Sequence, residues 1–254
     1  MGVFKRNALI LTLTSAAFLG LRAEQQFTSG PTQVALIELY TSEGCSSCPP
    51  AERWLSELTR HEGLWRDFVP VAFHVDYWDR LGWKDNFASR SATQRQYDYA
   101  KTWQSGSVYT PCFVRNGQEW RRRAKDLQTT GSATVGQLTL MIDNLRDVKI
   151  DFSPAVNSKG DFDVLVALLG SDMVSSVRAG ENAGSDLHHD FTVLELKQVA
   201  LGQGDDGHHR ASITFEREAG AKSKRLAVAA WSVRRGSMIP VQATGGWLDA
   251  AAVN

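Results

Sequence analysis

The chain has 254 residues, and 28 basic side chains balance 28 acidic ones. A net charge of zero excludes a global field that would draw the protein to nucleic acid or anionic lipid, so partners must be chosen by local features. Three cysteines are too few to staple a small disulfide scaffold, and a chain this long does not need one.

In chain order, Lys5 and Arg6 precede an apolar run from Ala8 to Gly20, with small residues near Ala23. This is the layout of a secretory signal over residues 1–23, and the run is too short for a permanent span. Export is therefore expected, with no stable membrane span after cleavage; an uncleaved anchor is the rival. VALIELY, Val34 to Tyr40, reads as a strand buried on both faces and interrupted by Glu38. Cys45-Ser46-Ser47-Cys48 follows and opens PPAERWLSELTRH, where Ala51, Trp54, Leu55 and Leu58 recur at helical spacing. A second buried strand, Phe68 to Val75, ends in the cluster Asp76-Tyr77-Trp78-Asp79. Ser91 is placed to cap a helix through Gln94, Tyr97 and Ala100 to Trp103. Tyr109-Thr110-Pro111 leads into a strand from Cys112 to Arg115, an Asn116-Gly117 turn and a return to Trp120, which reads as a hairpin. A last helix is expected from Ser132 or Thr134, carrying Val135, Leu138, Met141, Ile142 and Leu145.

Strand, helix, strand, helix, strand, strand, helix, with cysteines opening the first helix, is the minimal thioredoxin order. The expectation is an α/β thioredoxin-like domain over residues 30–147. Past Asp147 the spacing changes to alternation, as in Phe162, Val164, Val166 and Leu168 or Ile213 and Phe215. Further strands are expected at Lys149–Val156, Phe191–Leu201, Arg225–Val233 and Met238–Ala243, so residues 148–254 read as an all-β sandwich-like domain.

A cysteine at a helix N-terminus has free backbone N–H groups and the positive end of the helix dipole beside it, which favour thiolate. Cys45 is then the attacking sulfur and Cys48 the resolving one. The alternatives are a structural Cys45–Cys48 disulfide, or part of a metal site completed by His74. Pro111 is a candidate cis-proline facing the cysteines, with Thr110 offering its backbone to a substrate strand; a trans-proline that starts a strand is the plainer reading. Glu38 is either a buried base for the Cys48 proton or a partner of a basic residue. Cys112 is either a further redox partner or a small buried hydrophobe. His74, Asp76, Tyr77 and Trp78 sit at a strand end, where they line a groove or simply wall the core. The pairs His188-His189 and His208-His209 argue against a shared metal site, because strand neighbours face opposite ways.

The segments LIELYTSEGCSSCPPAERWLSEL, AFHVDYWDRLGWKDNFAS, TQRQYDYA, VYTPCFVRNG and GENAG together resemble a secreted bacterial thioredoxin-like family, domain of unknown function 1223. The resemblance runs from Val34 to the C-terminus and implies redox cysteines at Cys45 and Cys48 in the bacterial envelope, without implying a substrate. Cys112 departs from the family pattern after the Thr-Pro. The functional expectation is an exported thiol-disulfide oxidoreductase acting on protein thiols and disulfides, with an unknown redox partner and with no cofactor or metal. A non-catalytic binding protein with a structural disulfide is the alternative, and a metal carrier a more distant one.

Overall fold

The computed structural model describes residues 24–121, 127, 132–143, 146–156, 158, 160–216 and 223–249; the expected signal, residues 1–23, lies outside them. The chain forms β1 (Gln25–Thr28), β2 (Ala35–Thr41), α1 (Pro49–Glu57), β3 (Phe68–His74), α2 (Arg90–Thr102), β4 (Cys112–Arg115), β5 (Gln118–Glu119), β6 (Gly136–Asp143), β7 (Asp147–Pro154) and β8 (Phe162–Ser171). It continues through β9 (Met173–Ser176), β10 (Asp186–His189), β11 (Thr192–Ala200), β12 (Gly202–Gln203), β13 (His209–Thr214), β14 (Arg225–Arg234) and β15 (Pro240–Trp247).

Eight strands build one mixed sheet in the order β15-β14-β8-β11-β3-β2-β4-β5. β3 runs parallel to both β2 and β11, while β8, β14 and β15 extend the sheet antiparallel. A second, antiparallel sheet, β1-β6-β7-β13-β12, covers one face of the first. β8 shows how. Phe162, Val164, Val166 and Leu168 meet Leu138, Leu140, Ile150 and Phe152 of the second sheet, while Leu165, Ala167 and Leu169 join the core around β2 and β3. The period of two sends alternate side chains to opposite faces.

The expected fold class is corrected by this architecture. Strand makes up 46% of the described residues and helix 15%, so the protein is predominantly β rather than an α/β thioredoxin-like fold followed by a separate sandwich. Strands from the N-terminal half do not close a sheet of their own: β3 pairs onward to β11, and the sheet continues into C-terminal strands. The helix expected from Ser132 or Thr134 is instead β6, paired with β1 and β7. Leu138, Leu140 and Ile142 alternate into the core there, and this period-two pattern wins over the helical spacing of Leu138, Met141 and Ile142; Leu145 lies outside the described residues.

Both described α-helices have local causes. Pro49 and Pro50 occupy the first helical positions of α1, where a missing N–H costs no intrahelical bond. Leu55 is fully buried beneath it, worth roughly 1.5–3 kcal/mol, and Trp54 packs edge-on against Phe113 and Trp120. α2 is capped by Ser89, whose hydroxyl accepts from Ala92 N at 3.1 Å, two residues before the expected cap.

Candidate functional site

The turn between β2 and α1 carries the cysteine motif. Cys48 N donates to Cys45 O (3.1 Å), and Cys48 O receives Ala51 N (2.8 Å) and Glu52 N (3.1 Å), so Cys48 is the N-cap and Cys45 lies in the preceding turn. Cys45 Sγ is 3.3 Å from Ser47 Oγ and 3.8 Å from Thr110 O. The bond from Thr110 to Pro111 is cis. Trp78 Nε1 donates to Thr110 Oγ1 at 2.8 Å, and Gln96 Nε2 to Tyr109 O at 2.7 Å, which fixes this loop against the cysteines. Gly44 eases this approach, since an added Cβ would stand 3.0 Å from Cβ of Trp78 and one of the two would have to give.

The two thiols are driven apart. Cys45 falls to about 6, chiefly because the Cys48 thiol donates to it, with Ser47 and Thr110 adding donors against the opposing effect of burial. Burial, and then the neighbouring Cys45, push Cys48 far above the usual thiol range. Cys112 is pushed up to about 11 by burial, and its polar neighbours are Tyr109 and Gln96.

An attacking sulfur calls for access to solvent, yet Cys45 is 1% exposed. The loop between β9 and β10 bonds to the motif's backbone and to Ser46. Glu181 accepts from Ser46 N (3.0 Å) and Ser46 Oγ (2.7 Å), and Asn182 Nδ2 donates to Glu43 O (2.8 Å) and Cys45 O (3.0 Å). These two residues strap the motif from the other half of the chain.

Glu38 does not face Cys48. It accepts from Arg95 Nε (2.8 Å), Tyr40 Oη (3.0 Å) and Tyr99 Oη (2.5 Å) on the α2 side of the sheet, so it is the partner of a basic residue rather than a base for the thiol. Asp76 accepts from the Thr93 hydroxyl at 2.6 Å and ties its loop to α2. Tyr77 donates to Gln96 at 3.2 Å; burial raises it above the usual phenol range. Of the expected strand-end cluster, Trp78 and Tyr77 approach the cysteine loop.

His74 leads elsewhere. It is buried with its Nδ1 2.7 Å from Asp85 Oδ2, and its ring centroid lies 5.2 Å from that of His189. His189 Nδ1 is 2.6 Å from Glu52 Oε2, and Glu52 Oε1 accepts from Thr41 Oγ1 at 2.6 Å. Burial alone would lower His189, but Glu43 and Glu52 outweigh it and hold the imidazole up to about 10. Sequence reasoning missed Glu43, Glu52, Asp85, Arg95 and the Glu181-Asn182 strap. One signal was available: Glu52 lies one helical turn after Cys48, on the same face of α1.

The chain belongs to the family described as Protein of unknown function (DUF1223), whose pattern matches residues 36–232. Among curated proteins, none matches it. A crystal structure of a protein from Agrobacterium tumefaciens is similar at 24% identity and a TM-score of 0.57, over 85% of this chain and 94% of that one. HBP35 of Porphyromonas gingivalis is similar at 15% identity and a TM-score of 0.63, over 87% of this chain and 77% of that one. At these identities the likeness is one of fold. Among the described residues, no helix is long and apolar enough to cross a membrane.

Proposed function

We propose that this chain is an exported thiol-disulfide oxidoreductase acting on protein thiols and disulfides through Cys45 and Cys48. The observation that carries the reading is the asymmetry of the pair: hydrogen bonding from Cys48 draws Cys45 down from 9.0 to about 6, while burial holds Cys48 as a thiol. Export rests on the basic, then apolar, first residues. In the reducing direction, Cys45 thiolate attacks one sulfur of a substrate disulfide, forming a mixed disulfide and releasing a substrate thiolate. Cys48 then attacks Cys45 Sγ and gives up its proton to the departing thiol. A Cys45–Cys48 disulfide is left, and two electrons have passed to the substrate. The reverse sequence oxidises a substrate dithiol. The Thr110 carbonyl beside Cys45 is the backbone group that an extended substrate segment would pair with.

A second reading, a non-catalytic binding protein with a structural disulfide, is favoured by the strap that leaves Cys45 1% exposed. Redox-buffer titration and pH-dependent alkylation separate the two. A reduction potential between about −120 and −270 mV, with Cys45 alkylating along a midpoint near 6, supports catalysis and gives its direction. A potential below about −300 mV with an inert Cys45 overturns it in favour of binding.

A further inference from the structure

Behind α1, ionisable side chains from separate parts of the chain meet out of solvent: Glu43, Glu52, His74, Asp85 and His189 are each no more than 6% exposed. The hydrogen bonds among them leave a specific remainder. Asp85 holds His74 Nδ1, and His74 Nε2 is left buried with no hydrogen-bond partner. Trp83 Nε1 donates to Glu43 Oε2 at 2.6 Å, and Glu43 Oε1 is left over. His189 Nε2 faces that oxygen at 3.3 Å, without the geometry of a hydrogen bond. Buried polar atoms without partners are uncommon and unfavourable. Two of the residues that carry such atoms, His74 and His189, come together with Glu52, and the three each bring a ligand atom to within 4.8 Å of the others.

We propose that Glu52, His74 and His189 form a buried site for one divalent transition-metal cation, zinc by donor chemistry, with Glu43 available as a fourth ligand and Asp85 orienting His74. Two imidazoles with carboxylate oxygens are a zinc donor set. A carboxylate on the far nitrogen of a ligating histidine is the usual support for such a ligand. Closure to solvent fits a structural ion rather than a catalytic one, because no position is left open for water. The cation would join α1, the end of β3 and β10. It would thereby fix the helix that Cys48 caps to the hairpin that covers Cys45. This inference does not rest on the thiol chemistry.

The test uses the full chain with Cys45→Ser, Cys48→Ser and Cys112→Ser, so that no thiolate can bind metal. Because the site is closed, the protein is refolded from urea after chelation, with Co²⁺ or Zn²⁺ present, and desalted. The expected result is one cation retained per folded chain, visible absorption bands from the bound Co²⁺, and a Tm above that of the chelated protein. His74→Gln or Glu52→Gln should weaken uptake at least tenfold. If those variants fail to fold, X-ray absorption on the thiol-free zinc form decides. Imidazole scattering with a nitrogen and oxygen shell at about 2.0–2.2 Å supports the site, and its absence overturns it. A folded, thiol-free chain that retains no stoichiometric metal, or a folded His74→Gln variant with unchanged uptake, also overturns it.

Discussion

Strand β2 carries a buried charged cluster on each of its faces, and the two are built to different standards. Toward α2, every oxygen of Glu38 is used: Arg95, Tyr40 and Tyr99 all donate to it, and the Arg95 guanidinium lies over the rings of Phe73, Tyr99 and Trp231. Toward α1, Thr41 opens onto Glu52, His189, His74 and Glu43, where three polar atoms remain without partners. Glu38 and Thr41 are an odd number of positions apart, so the pleat sends them to opposite sides. A satisfied cluster cements two elements together. An unsatisfied one, equally buried, has capacity left for a ligand or a proton.

The largest expected effect falls on the satisfied face. Arg95→Met strands the Glu38 carboxylate in the core and should cost roughly 3–5 kcal/mol in urea denaturation, whereas replacing Glu38 and Arg95 together should cost less than Arg95→Met alone. Equal losses in the two variants would break the contrast drawn here.

The other face should instead reveal itself through pH. The Cys45 value in the folded chain, about 6, lies below the ordinary 9.0, so its thiolate adds stability that is complete above the unfolded value and lost as pH falls through the folded one. The reduced protein should therefore gain stability over a reduced Cys45→Ser variant as pH rises from 6 to 8, followed by thermal unfolding under reductant. A flat difference over that range would remove the asymmetry of the thiols.

Smaller effects are expected where the strap and the loop touch the motif. Asn182→Ala deletes two neutral hydrogen bonds, to Glu43 O and Cys45 O, at about 1–3 kcal/mol in total. It should raise the alkylation rate of Cys45 severalfold, as mass spectrometry of the modified peptide would show. Trp78→Phe removes the indole donor to the Thr110 hydroxyl and should cost about 1 kcal/mol, with little change at Cys112.

What the sequence disclosed followed from residues whose neighbours are near in the chain. The runs of β2 and β3, the proline-led start of α1 and the hairpin after Pro111 were legible because local spacing and turn chemistry dictate them. In β10, too, His188 lies outside and His189 inside, as period-two alternation requires. β6 was misread because Leu138, Met141 and Ile142 satisfy a helical period while Leu138, Leu140 and Ile142 satisfy a strand period. Only pairing with β1 and β7 decides between them. The course of the large sheet was illegible for a related reason: β3 has one parallel neighbour close in sequence and another, β11, far along the chain. Glu52, Asp85 and Arg95 carry no local signature of burial in the sequence. Nothing local marks a charge that tertiary packing will bury.

The strap has a consequence in time as well as space. Asn182 and Cys45 lie 137 positions apart, so during synthesis the motif emerges long before its cover does. Contacts of such separation close late, after the chain between them has ordered. A nascent chain therefore presents both cysteines openly while β8 to β10 are still unmade. Thiols and oxidants outside the chain can therefore reach Cys45 and Cys48 before Glu181 and Asn182 close over the motif.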